Sequence, residues 1–417
     1  MTRHNIFLGA FAAFFAVFLL DLLFGFTQER QLYCIFAKGG NFLADSLNHF
    51  RYAWNGDPYF GDSVSALCDH VFPPLAYLIY LPAKFVGGAV PTLAQLQRNV
   101  PLCAGILVVS ALLALALVVA LKNFVSSRSW LVPCLFLFSG PLIYSFERGN
   151  IIWLSLIGSA LFFAFHDSPL KSRRLIAAVA LSVAAGIKVY PAFFILLWLP
   201  RREWKLMALT IAMTAFLGFA PLLAFPHSIL ETSLQLLANV KAQETAYLDM
   251  SFFHTVSPYA YLRYLTLRIL HLPSVAVTLL CSLCYVWAAV CAFVALKTRI
   301  VWVRLFMIVT ALFFVQNLAM YYCVLYFYPA VAAFLGEGER KASRLDWSFA
   351  IGFAILLTPL QFYTPSIDAA TLTKLLGRPS SVDKLVFSLS PFIATMLVSL
   401  GSLALAIRHF AIRPPAH

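Results

Sequence analysis

The chain is poor in charge. Of its 417 residues only 11% are Asp, Glu, Lys or Arg, less than half of the ~25% usual in soluble domains. Acidic residues are the scarcest, 17 against 30 Lys and Arg. The chain has no Asp-x-Asp pair, no glycine-rich phosphate loop, no internal repeat and no low-complexity tract. Without Asp-x-Asp a metal-held diphosphate has no site, and no soluble domain is present to hold a nucleotide-activated substrate. Without repeated halves the chain departs from the common plan of transporters. Cysteine is sparse too, with eight in all. Cys103, Cys134, Cys281, Cys284, Cys291 and Cys323 fall in apolar runs and read as small core hydrophobes. "CSLC" (281–284) has a zinc-like spacing but no His or Cys partner beside it, so no metal site is expected.

Apolar residues are abundant. They make up 62% of the chain, Phe alone occurring 39 times, and the mean hydropathy is +0.85. Runs such as "IFLGAFAAFFAVFLLDLLFGF" (6–26) and "LCAGILVVSALLALALVVAL" (102–121) reach the roughly 20 residues that span a bilayer. The first follows Arg3 and His4 and shows no small-residue cleavage site, so it reads as an uncleaved anchor. The expectation is an all-α polytopic protein of the inner or plasma membrane, a single integral membrane domain over 1–417.

The net charge of +13 does not call for nucleic acid, because membrane proteins gather Lys and Arg in cytoplasmic loops. The clusters at Lys122 and Arg128, at Lys171, Arg173 and Arg174, at Arg201, Arg202 and Lys205, and at Arg340, Lys341 and Arg344 mark such loops. Placing them with Arg3 on one side puts both termini in the cytoplasm and gives twelve spans. Between Arg174 and Arg201 there is room for only one full helix. Two short half-spans turning at "IKVYP" (187–191) keep both basic clusters inside. Irregular backbone at that depth requires a protein or water-filled surrounding, so a cavity is expected near Lys188. The long segments 27–74, 225–271 and 364–385 then lie on the exoplasmic side, where chemistry is expected. Cys34 and Cys68 share the first of these loops, where an oxidising compartment permits a disulfide.

The first loop carries the strongest polar patch, "GNFLADSLNHFRYAWNGDPYFG" (40–61). Read as a helix over 41–55, it presents Leu43, Leu47, Phe50 and Trp54 on one face and Asp45, Asn48, His49 and Tyr52 on another. It suits an interfacial helix with Phe50 and Trp54 in lipid, and Asp45 is the candidate general base, with His49 second. "VFPPLAYLIYLPAKF" (71–85) reads as a second juxtamembrane helix.

"SFERGNIIWL" (145–154) is the next polar island. In one reading Glu147 pairs with Arg148, Gly149 turns and Asn150 caps the next helix. In the other, Arg148 and a helix N-terminus hold an anion, joined by Lys188 from the half-span turn, with Tyr190 beside it. A third segment, "MSFFHTVSPYAYLRYL" (250–265), follows a helical stretch (228–243) and offers His254 as a substrate contact, although its aromatic residues also suit a membrane interface.

The order and spacing of "ADSLNHFRYAWNGDPYF…VFPPLAYLIYLPA", "ERGNI" and "AAGIKVYPAFFILLWLPRREWK" resemble glycosyltransferase family 87. These are membrane enzymes of the GT-C type, similar to polyprenol-phosphate-mannose-dependent α-(1→2)-mannosyltransferases of mycobacterial glycolipid synthesis. The resemblance is carried by about 45–205. It implies a polyprenyl-phosphate sugar donor, a glycan or glycolipid acceptor, inversion at the anomeric carbon without a cofactor, and Asp45 as base. It also implies exoplasmic chemistry. Where many relatives carry a His in the late spans, "NLAMYYCVLYFYP" (317–329) offers Asn317, Tyr321 and Tyr322. A lipid or oligosaccharide flippase and a polysaccharide polymerase or ligase are the competing classes. The polar residues in outside loops, and their early position, count against each in turn.

Overall fold

The computed structural model describes residues 1–24, 42–54, 56–60, 70–125, 130–250, 256–337, 342–358, 366–368, 384–386 and 395–405. Among these the architecture is helical, apart from one antiparallel pairing of Ser366–Asp368 with Lys384–Val386. Four helices are long and apolar enough to cross a membrane, namely Arg3–Leu20, Val100–Phe124, Trp204–Ala224 and Ser274–Lys297. Shorter apolar helices cover Ile152–Phe165, Val301–Val315, Tyr321–Gly336 and Thr395–Leu405.

Not every apolar run forms one continuous helix. Residues 131–148 divide into a helix (Leu131–Leu135), a 3-10 turn (Phe136–Phe138) and a second helix (Gly140–Arg148). The break is at Ser139, whose backbone is extended, and Pro141 starts the second helix as a residue with no N–H to satisfy.

The core is centred on Val301–Val315 and Tyr321–Gly336. Every residue from Leu305 to Phe314 is buried, as is every residue from Cys323 to Leu335. A helix apolar on all faces is one surrounded by protein or lipid, and here protein surrounds both. Trp302, Phe306, Phe334, Phe349 and Phe353 interlock edge to face at ring separations of 4.8–6.2 Å, a geometry that aromatic quadrupoles favour.

Residues 171–201 form a hairpin. The helix Lys171–Ile187 ends at Lys188, and a 3-10 segment begins at Tyr190 and runs to Arg201. Arg174 and Glu203 meet across its open end at 2.8 Å. A 3-10 helix rises ~2.0 Å per residue against ~1.5 Å for an α-helix. Twelve residues therefore return nearly the distance that seventeen covered. Against this hairpin lies Ile152–Phe165, held close by small residues. A Cβ on Gly158 would sit 2.5 Å from the Ala180 carbonyl oxygen, and Ser155 donates to the Ala184 carbonyl at 2.9 Å. Small residues at a helix crossing permit such backbone approach.

Charged pairs collect at one end of the bundle. Asp167 takes both Arg201 and Arg304. Val301–Val315 runs from this end and Tyr321–Gly336 runs back to it. Arg3, 4% exposed at its side chain, sits there between Glu337 at 2.7 Å and Asp346 at 2.5 Å. Ile152–Phe165 starts at the opposite end, where the polar islands of the sequence come together.

Cys103, Cys134, Cys281, Cys284, Cys291 and Cys323 are free thiols, all but Cys134 buried. Cys34 and Cys68 lie outside the described residues, as does the expected bridge between them.

Candidate active site

The patch at 40–61 forms a helix over Ala44–Tyr52, shorter than the expected 41–55. Only the Phe50 and Trp54 end of its apolar stripe is partly open to the outside. Leu43 and Leu47 are fully buried, and with half-buried Phe50 and Trp54 they pack on Leu96, Leu102 and Cys103. Its other face is buried as well, with Ser46, His49 and Tyr52 each below a tenth exposed. The helix is thus a wedge between two layers of protein. The capping-box helix Leu93–Gln97 occupies the side that interfacial lipid would otherwise take.

The "ERGN" turn holds this wedge in place. Leu43 donates its N–H to the Glu147 carbonyl at 2.7 Å, and the Ser46 hydroxyl donates to the Gly149 carbonyl. Gly149 is needed on two counts. Its φ of +63° is costly for residues with a Cβ. A Cβ there would also lie 3.0 Å from Leu43 and 3.2 Å from the Ser46 hydroxyl.

Asp45 thereby faces Arg148 and Asn150. Arg148 donates to Asp45 Oδ1 from Nε at 2.9 Å and from Nη2 at 2.5 Å. Asn150 donates from Nδ2 to Oδ2 at 2.6 Å, while its own Oδ1 accepts the Ile152 N–H at 2.9 Å. Both ends of the Asn150 amide are therefore fixed, and its orientation follows from the network. An ionised carboxylate has about four lone-pair sites. Three are occupied, both on Oδ1 and one on Oδ2, leaving one on Oδ2. Arg148 Nη1 has no hydrogen-bond partner among the described residues.

Glu147 is not the partner of Arg148. Its backbone carbonyl holds Leu43, and its buried Oε2 has no partner among the described residues. The sequence pairs neighbours, whereas the fold pairs Arg148 with a carboxylate 103 positions away.

Lys188 enters from the turn of the hairpin. It is 4% exposed, and its ammonium has no hydrogen bond or carboxylate contact among the described residues. It lies instead 3.7 Å from the Phe72 ring centroid and 5.7 Å from that of Tyr322, a cation over π-faces. It is near enough to Asp45 for the two charges to interact. Tyr190 and Tyr322, both partly exposed, complete this wall, with Tyr144 stacked on Tyr322 at 6.3 Å.

His49 is one turn beyond Asp45, stacked on Phe72 at 3.4 Å with Nδ1 3.1 Å from the Tyr77 hydroxyl. Burial, the charge of Lys188 and nearby His70 hold its pKa well below the usual 6.5, so its ring is neutral. Asn48 is engaged elsewhere, accepting from Arg51 at 3.1 Å, and Tyr52 packs on His70 at 3.8 Å. His254 lies outside the described residues. Among the described residues no three His, Cys, Asp or Glu side chains group to hold a metal ion.

Phe72 and Tyr77 were not legible as site residues, because "VFPPLAYLIYLP" reads as a plain apolar helix. The signal it does carry is Tyr77 and Tyr80 three apart, one helical face of hydroxyls. Tyr80 lies 3.3 Å from Ser46.

The site thus brings together a partly buried carboxylate with one open lone pair and a buried lysine that makes no direct ion pair among the described residues, on a scaffold of apolar helices. Residues 70–320, more than half of the chain, match glycosyltransferase family 87, and the protein belongs to that family. It is therefore a membrane glycosyltransferase. The match extends farther toward the C-terminus than the motifs of the sequence, and it begins after Asp45. No curated protein and no solved structure matches the chain.

Proposed function

We propose that the protein transfers a hexose, mannose by family resemblance, from a polyprenyl-phosphate donor to a lipid-linked or cell-envelope glycan on the exoplasmic face. The carrying observation is the open lone pair on Asp45 Oδ2. An acceptor hydroxyl donating to that oxygen is within reach of a base. Its oxygen attacks the anomeric carbon from the face opposite the phosphate, and a C–O bond forms as the bond to the phosphate breaks. Asp45 takes the hydroxyl proton, and polyprenyl phosphate departs with the bonding electrons. One displacement inverts the anomeric centre.

Lys188 and Nη1 of Arg148 suit the departing phosphate, since both are cations with unused donors. Charge placed where negative charge develops lowers the barrier. His49, which shares the Phe72 ring with Lys188, and Tyr190, two residues beyond Lys188, are assigned to the substrate. Orientation is supported by the ion-paired end of the bundle, where Arg3, Arg174, Arg201 and Arg304 gather. The positive-inside rule places that end in the cytoplasm and Asp45 outside. The count of twelve spans, with the hairpin arms as two, is kept as part of this proposal.

The test is Asp45→Asn in isolated membranes supplied with polyprenyl-phosphate hexose. Transfer is expected to fall by about 10²–10⁴-fold while the variant still inserts. Transfer near the wild-type rate removes Asp45 as the base.

A further inference from the structure

The turn that follows Tyr80 serves no purpose in the chemistry above. After a 3-10 segment over Leu81–Phe85 the chain crosses Val86, Gly87 and Gly88 before Thr92 caps the next helix. Val86 is right-handed helical, with φ −71° and ψ −35°, while Gly87 and Gly88 have φ of +74° and +82°. A right-handed residue followed by a left-handed one points successive backbone N–H groups into one concavity, an arrangement that binds anions. The Gly87 and Gly88 N–H groups have no acceptor among the described residues. Lys84 is exposed beside them, its ammonium 5.1 Å from the Phe85 ring centroid, and it makes no ion pair among the described residues. Lys84, Phe85, Gly87, Gly88 and Trp54 line an open cleft of about 480 Å³ that no acidic residue lines.

The apolar side of this turn is as bare as its polar side. Phe85 is 80% exposed and Val86 62%, on an element that is not a span. A cation and free amides beside outward-pointing apolar side chains match a lipid's phosphate above its acyl chains. We infer that residues 84–88 form a binding site for the phosphate of an anionic phospholipid of the surrounding leaflet, with Phe85 and Val86 inserted among its chains.

The turn is also wired to the catalytic helix. Trp54 donates its indole N–H to the Gly88 carbonyl at 3.2 Å, and Arg51 donates to the Pro91 carbonyl at 2.8 Å. Gly56 lies against the Lys84 side chain, so that a Cβ there would be 3.5 Å from it. Lipid bound at the turn thus fixes the far end of the helix that carries Asp45.

The full chain reconstituted in phosphatidylcholine nanodiscs with a trace of photoactivatable phosphatidylglycerol reads this directly, without any transfer reaction. Crosslinks are expected on residues 84–90, with about a fivefold drop for Lys84→Glu and a comparable drop for Phe85→Ser. Equal labelling of wild type and Lys84→Glu overturns the proposal, as does labelling spread evenly over the lipid-facing surface. Displacement of the crosslink by inorganic phosphate alone overturns it in favour of a free-anion site. Because the readout is lipid capture, failure of the Asp45 assignment would leave it unaffected.

Discussion

At the scale of single residues, the site turns on what Lys188 lacks. A buried ammonium facing two aromatic rings is only partly compensated, since cation–π contacts replace hydration incompletely. The deficit is what a donor phosphate would remove. Lys188→Met keeps the length and apolar stem and deletes the charge. Transfer is expected to drop by about 10²–10³-fold, with the loss shared between donor KM and kcat and with acceptor KM unchanged. Steady-state kinetics with donor and acceptor varied separately check this, and unchanged donor kinetics would assign Lys188 to structure alone. In the sequence Lys188 stands out as a lone charge in an apolar run, and Asp45 and Arg148 as charges in polar islands between such runs. That Arg148 is Asp45's partner was not legible, because the contact depends on how a loop helix docks onto a distant turn.

At the scale of elements, the Ala44–Tyr52 helix is held on two sides, and its inner side contains a histidine that resists protonation. In the native state burial and Lys188 keep His49 below its ordinary pKa of 6.5, while in the unfolded chain it titrates normally. The unfolded state therefore binds more protons as pH falls through about 6.5, and native stability falls with it. Thermal inactivation of the detergent-solubilised protein is expected to move to lower temperature from pH 7.5 to pH 5.5. In His49→Gln that slope should flatten, leaving the shares of His70 and His166, which burial also lowers. An identical slope in both proteins would locate the sensitivity elsewhere. The helix itself was legible from its three-to-four periodicity. The burial of its apolar and histidine faces was not, because the periodicity says which residues share a face and not what covers that face. The 3-10 form of Tyr190–Arg201 was equally hidden, since an apolar run bounded by Pro191 and Pro200 permits several backbone geometries.

At the scale of the molecule, the sorting of charge gives a direction to the bundle. Asp167 and Glu203 with their arginines occupy one end, and Asp45 with Lys188 occupies the other. Two engineered thiols separate the ends, Lys84→Cys beside the Ala44–Tyr52 helix and Lys171→Cys at the start of the hairpin. On intact cells a membrane-impermeant maleimide is expected to label the first, and the second only after permeabilisation. The reverse pattern would invert the protein and place its chemistry in the cytoplasm. The helical class was plain from composition. The hairpin was legible because a basic cluster on each side of a short apolar run constrains the path between them.

The Arg3 clasp ties the beginning of the chain to a point near its end, and this sets an order of events during synthesis. Asp346 is made 343 positions after Arg3. At ~5–20 residues per second the first helix waits on the order of 20–70 s for its partner. Throughout that interval it is a tethered but undocked segment that the insertion machinery must shelter. Chains interrupted before residue 337 would carry neither carboxylate partner of Arg3.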